Sequence, residues 1–200
     1  MSYPEEREKE RTEHYNKEFK DHVAKFIDLP DGTQVLEWRN KNGGSNYYFN
    51  AILWDGALMI YGDLGEAVFM WYRRLSFMDF EGLNLGYFAS KCCASEVGRH
   101  FVEWDKKQAL EVIKEWSKYE DAFDLVNFNE QHYEDALDSA ESWLDWLRSN
   151  EDAVCFRSEG WDGETFDNIA RAGEVIHGRC FGYLHGIKMA LKQRGSVVEE

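Results

Sequence analysis

From Ser45 to Tyr72 (SNYYFNAILWDGALMIYGDLGEAVFMWY) the apolar positions are dense and alternate with the period of strands rather than of a helix. Tyr47 to Trp54 and Ala57 to Tyr61 read as two strands, and Asp55-Gly56 sits between them. That dipeptide is a strong hairpin signal, because a type I′ turn needs positive φ at both central residues. Gly62-Asp63-Leu64-Gly65 makes a further turn, and Glu66 to Tyr72 can return as another strand. Thr33 to Arg39 (TQVLEWR) adds one before them, ahead of a loop at residues 40–45. The pattern predicts an antiparallel meander over 33–72. Tyr47, Phe49 and Leu53 fall on one face, and Tyr48, Ile52 and Trp54 on the other. One face should pack on helices; the other is either covered too or an interaction surface.

On either side the period changes. Residues 2–14 are nearly all charged, and this segment is expected to fray or to extend as solvated helix. Tyr15, Phe19, Val23 and Phe26 then recur at four, four and three, which predicts a helix over 15–28 ended by Leu29-Pro30-Asp31-Gly32. Beyond the meander, Asn84 is a good N-cap for a helix whose stripe runs Leu85, Phe88, Ala89, Cys92, Cys93, Val97, His100 and Phe101. Asp105 with Gln108 opens another, with Leu110, Ile113 and Trp116 inward. Tyr133, Leu137, Ala140, Leu144 and Leu147 share the face of a further helix. Thr165 to Arg194 reads as a last helix or helix pair. In it Gly178, Gly182 and Gly186 fall four apart, a smooth edge that lets another backbone approach. The predicted fold is therefore α+β, a single domain over 1–200. It has a three- to four-stranded antiparallel meander flanked by four to six helices, with the helical part over 84–194.

Charge changes this picture. The net charge is −15, and the segment from Glu120 to Asp152 holds eleven carboxylates against one base, Arg148. Such a surface repels nucleic acid and anionic membranes and attracts basic protein surfaces. No apolar run reaches the ~20 residues of a membrane span. The charged start, MSYPEEREKER, reads as no secretory leader, and the four cysteines suggest no disulfide framework. A cytoplasmic setting follows as the expectation.

Catalytic patterns are weak. Pro30-Asp31 with Glu37-Trp38-Arg39 is a short, Arg-for-Lys version of a metal-nuclease arrangement in which carboxylates hold the metal that activates water. Gly62 to Glu66 lacks the phosphate-loop signatures, and its acids would repel phosphate. Cys92 and His100, eight apart, lie about 12 Å apart along a continuous helix and cannot act as a nucleophile pair there. Cys155, His177, Cys180 and His185 lack paired zinc-ligand spacing. No catalytic residue, cofactor or metal is expected.

The acidic helix is the stronger candidate. Glu130, Glu134, Asp135, Asp138, Glu141 and Asp145 could stand where backbone phosphates would, meeting the Arg and Lys contacts that dominate nucleic-acid affinity. Trp143 and Trp146 could serve as interface anchors beside them.

The strings YGDLGEAVFMW, LNLGYFASKCCASEVGR and VEWD, within Leu58 to Asp105, are similar to a group of phage-encoded proteins of unassigned function. That resemblance implies a viral origin and a host cytoplasm. Many small acidic phage proteins, anti-CRISPR and anti-restriction proteins among them, block bacterial defence by mimicking DNA or filling a basic cleft, and the same role is the leading expectation here. The expected partner is a host protein with a basic surface, with no direct nucleic-acid binding and no membrane. Two alternatives stay open. One is a small metal-dependent hydrolase or nuclease using Asp31, Glu37, Asp63 or Glu66; the other is a structural or self-associating protein.

Overall fold

The computed structural model describes residues 3–97, 101–116, 133–149 and 163–196. The chain forms two compact units. The larger comprises Glu5–Val102 and Ile176–Glu200, and the smaller comprises Glu103–Val175 with Met1–Pro4.

The larger unit is built on a six-stranded antiparallel sheet in simple sequential order, β1 (His22–Asp28), β2 (Gln34–Asn40), β3 (Phe49–Trp54), β4 (Ala57–Gly62), β5 (Ala67–Met70) and β6 (Cys92–Ser95). The fold is thus mixed helix and sheet as expected, with six strands in place of three or four. The four central strands follow the alternating pattern. At the β3–β4 turn, Asp55 and Gly56 have φ of 44° and 83°, the double positive φ that the dipeptide signals. A side chain at Gly56 would meet the Arg73 and Trp71 carbonyls at 2.6 and 2.7 Å, so glycine is required there.

Both extra strands lie where helix was expected. The predicted helix over 15–28 is instead the end of α1 (Tyr3–Phe19) followed by β1. The charged segment before Tyr15 belongs to that same helix. The residues HVAKFID satisfy two periods at once. Pairing seven residues against β2, from His22↔Asn40 to Asp28↔Gln34, satisfies their backbone groups and selects the strand. Val23, assigned to the helix stripe, is exposed, whereas His22 is buried. Likewise the long stripe from Leu85 stops early. α2 covers only Leu85–Ser90, with the Asn84 side chain accepting the Tyr87 N–H at 2.8 Å as its N-cap. Cys92 and Cys93 lie on β6, which pairs with β5 through a register shift at Val68/Phe69. The core on the sheet's inner face consists of Leu36, Trp38, Phe49, Leu53, Leu58 and Phe69 with Phe19, Phe88, Tyr183 and Ile187.

Tyr183 and Ile187 come from α6 (Gly178–Ser196), whose glycines admit aromatic rings rather than a backbone. A Cβ on Gly182 would lie 2.6 Å from Tyr15 Cε1, and one on Gly186 would lie 2.7 Å from Phe49 Cε1.

The smaller unit has its own core of Ala109, Ile113, Tyr133, Leu137, Trp143, Leu147 and Ile169. It contains α3 (Lys106–Trp116), α4 (Ala140–Ser149) and α5 (Gly163–Ala170). Asp105 caps α3 by accepting the Gln108 N–H at 3.0 Å. Short strands β7 (Val102–Trp104) and β8 (Glu174–Ile176) pair where the chain leaves the larger unit and returns to it. The last predicted helix is therefore a pair, α5 and α6, separated by β8.

Candidate functional site

The acidic segment folds in two steps. A 3₁₀ turn covers Asp135–Asp138, and Ser139, extended at φ −149° and ψ 160°, breaks the chain before α4. The Ser139 hydroxyl accepts the Ser142 N–H at 3.1 Å and starts the new helix. This break resets the helical register. Tyr133 and Leu137 still point inward, but in α4 the inward residues are Trp143 and Leu147.

The carboxylates face out. Glu134, Asp135, Asp138, Glu141 and Asp145 are all exposed, and Glu141 and Asp145, four apart, share a helix side. Glu130 lies outside the described residues. The charge is partly answered within the unit. Lys106 reaches Asp138 at 2.7 Å, and Arg148 lies 3.6 Å from Asp145. The Asp138 hydrogen bond, then the charges of Asp138, Glu134 and Asp135, raise the Lys106 pKa and keep it cationic. Exposed pairs of this kind hold each other weakly and are readily exchanged for another cation.

The two tryptophans differ. Trp143 is 0% exposed and its indole N–H donates to the Ile169 carbonyl at 2.9 Å, so it is a core residue and offers nothing to a partner's surface. Trp146 stacks on it with ring centroids 5.3 Å apart and meets Tyr133 edge-on, but is only half-buried. Of the two, Trp146 alone presents surface next to the carboxylates.

The hydrolase candidates are held in separate structural roles. Asp31 accepts the Thr33 N–H at 2.9 Å, and this, then the Thr33 hydroxyl, holds its pKa below the ordinary value. Glu37 pairs with Lys25 across β1 and β2 at 3.3 Å. Asp63 accepts the Tyr47 N–H at 2.7 Å, and Glu66 is exposed. Among the described residues no three His, Cys, Asp or Glu side chains gather as metal ligands. His177 Nδ1 accepts the Arg179 N–H at 3.1 Å at the start of α6. His185 bonds Asn16 at 2.8 Å, and Cys180 is buried, with burial pushing its thiol pKa well up. His100 and Cys155 lie outside the described residues.

A surface in the larger unit also emerges that the sequence pattern indicates only in part. Ile27, Val35, Ile52, Met59, Val68 and Ala94 are register partners, one from each strand, and run as an apolar row across the sheet's outer face. Trp54 and Met70, at 56% and 58% exposure, flank it through Ala57. The alternation at Ile52 and Trp54 marks this face in the sequence. The row becomes continuous only when β1 and β6 are recognised as strands. Among the described residues no helix is long and apolar enough to cross a membrane. Protein-family models, curated proteins and solved structures contain no match to this chain.

Proposed function

We propose that this chain is a non-enzymatic accessory protein that binds a cationic protein surface and blocks it, standing in for the nucleic acid that surface would hold. The observation that carries the reading is the row of outward carboxylates on the smaller unit, Glu134, Asp135, Asp138, Glu141 and Asp145, with half-buried Trp146 beside them. The carboxylates supply acceptors in the place of phosphate oxygens, and an Arg-rich groove would exchange Lys106 and Arg148 for its own guanidinium groups. The resemblance to phage-encoded proteins favours a bacterial defence complex as the partner and the host cytoplasm as the setting.

The test is affinity purification from a bacterial host followed by competition. Duplex DNA should displace the captured partner. Reversing Glu134, Asp135, Glu141 and Asp145 to Lys should abolish capture while the helical circular dichroism is retained. Capture that survives charge reversal would rule this mechanism out.

The apolar row on the outer sheet face favours a second reading, self-association. Sedimentation would then show a concentration-dependent dimer, lost when Ile52 and Met59 become Lys.

A further inference from the structure

We propose that the cleft between the C-terminal end of α1 and the 41–47 loop of the larger unit binds a small oxyanion, a carboxylate or phosphate group, held by Lys17 and Lys20 and hydrogen-bonded by His22. The cleft has a volume of about 480 Å³. His22 lines it, yet the residue is only 3% exposed. Among the described residues neither ring nitrogen has a hydrogen-bond partner. Its faces are occupied by Phe19 and Trp38, with ring centroids at 5.1 and 5.4 Å, so polar contact is left to the ring edge. The Trp38 indole N–H beside it also lacks an acceptor. Two orphaned polar side chains in one spot are uncommon in a folded core, and each calls for an explanation.

The charges around the cleft favour an anion. Of the two acids on its wall, Asp21 is taken by Lys41 at 3.1 Å. Glu18 remains, against the ammonium groups of Lys17 and Lys20. Asn40 gives its Oδ1 to the Asn42 N–H at 2.9 Å, which leaves its amide NH₂ as a donor at the cleft. The carbonyls ending α1 disfavour an anion, so both lysines are needed. A neutral imidazole donates from one nitrogen and accepts at the other, which suits an oxyanion carrying a neighbouring hydroxyl. This site involves none of the acidic face and stands or falls separately from it.

The test is NMR titration of the labelled full chain with inorganic phosphate and with succinate, at constant ionic strength, following the His22 imidazole. Saturable shifts with a dissociation constant of about 1 mM or tighter are expected, weakened about tenfold or more in the Lys17→Ala/Lys20→Ala variant. Both lysines are exposed, so that variant should fold. His22→Gln should weaken binding as well. The stronger of the two probes identifies the head group. Absence of saturation with both probes, or shifts unchanged in the double lysine variant, would overturn the proposal.

Discussion

Gln193 hydrogen-bonds the backbone of Ala24 as a neighbouring strand would. Its Oε1 accepts the Ala24 N–H at 2.9 Å, and its Nε2 donates to the His22 carbonyl at 2.9 Å. β1 is an edge strand, and an open edge is a template for unwanted pairing. One side chain from α6 therefore both closes that edge and ties the helix to the sheet. Gln193→Ala should cost about 1–3 kcal/mol, since two half-buried backbone groups lose their partners. Urea denaturation would measure it, and an unchanged midpoint would show that water replaces the amide without loss.

The α6 glycines lead to a second prediction. Gly182→Ala should destabilise the larger unit by about 1–3 kcal/mol, because the new methyl enters the packed Tyr15 ring. Gly178 is the internal control. A Cβ there comes no nearer than 3.9 Å, to the Tyr15 hydroxyl, so Gly178→Ala should be close to neutral. Equal effects at both sites would mean that backbone freedom, and not the ring contact, is what these glycines provide.

These contacts also show where the sequence was readable. Strands β2 to β5 were legible because alternation over Gln34–Met70 is unmixed and the Asp55-Gly56 turn admits few residues. β1 was not, since Tyr15, Phe19, Val23 and Phe26 fit a helix as well as HVAKFID fits a strand. Only the long-range pairing with β2 decides between them. The same holds for Cys92, whose assignment depends on β5 lying alongside. In the acidic segment the outward carboxylates followed from helical spacing, but the roles of Trp143 and Trp146 did not. Ser139 interrupts the helix, and a register carried across it from Tyr133 no longer tells which indole points inward. The His22 cleft had no local signal, because it joins α1 to a loop more than twenty residues away.

His22 also sets a pH dependence. Burial lowers its pKa below 6.5, outweighing the Asn46 and Tyr47 carbonyls and the Asp21 and Glu18 charges, which favour the proton. The unfolded chain therefore takes up this proton first. Stability should be full above about pH 6.5 and fall as pH drops through that value toward the lower folded pKa. His185, lowered by burial and then by Lys192 and Lys188, adds to the same window. The contributions of Asp31 and Asp79, whose pKa values lie below 3.8, are lost only in stronger acid. Urea midpoints at about pH 7.5 and about pH 5.5 should differ in the parent, less in His22→Gln, and least when His185 is replaced too. A difference unchanged by His22→Gln would mean that its protonation is not coupled to folding.

The two tryptophans of α4 should separate stability from binding. Trp143→Phe removes the bond to the Ile169 carbonyl and leaves a gap in the small core, so a loss of about 1–3 kcal/mol is expected. Its effect on partner capture should track the folded fraction alone. Trp146→Ala should behave oppositely. Its ring stacks on Trp143 but is partly open, so the stability cost should be the smaller of the two. Partner affinity should fall about tenfold or more if the ring anchors the acidic face, as buried aromatic side chains do at interface centres. Measuring both variants by denaturation and by binding gives a two-way comparison. If Trp146→Ala loses no affinity while the charge reversals do, the face works by charge alone; if neither change affects capture, the partner sits elsewhere, and the apolar row on the sheet becomes the surface to mutate.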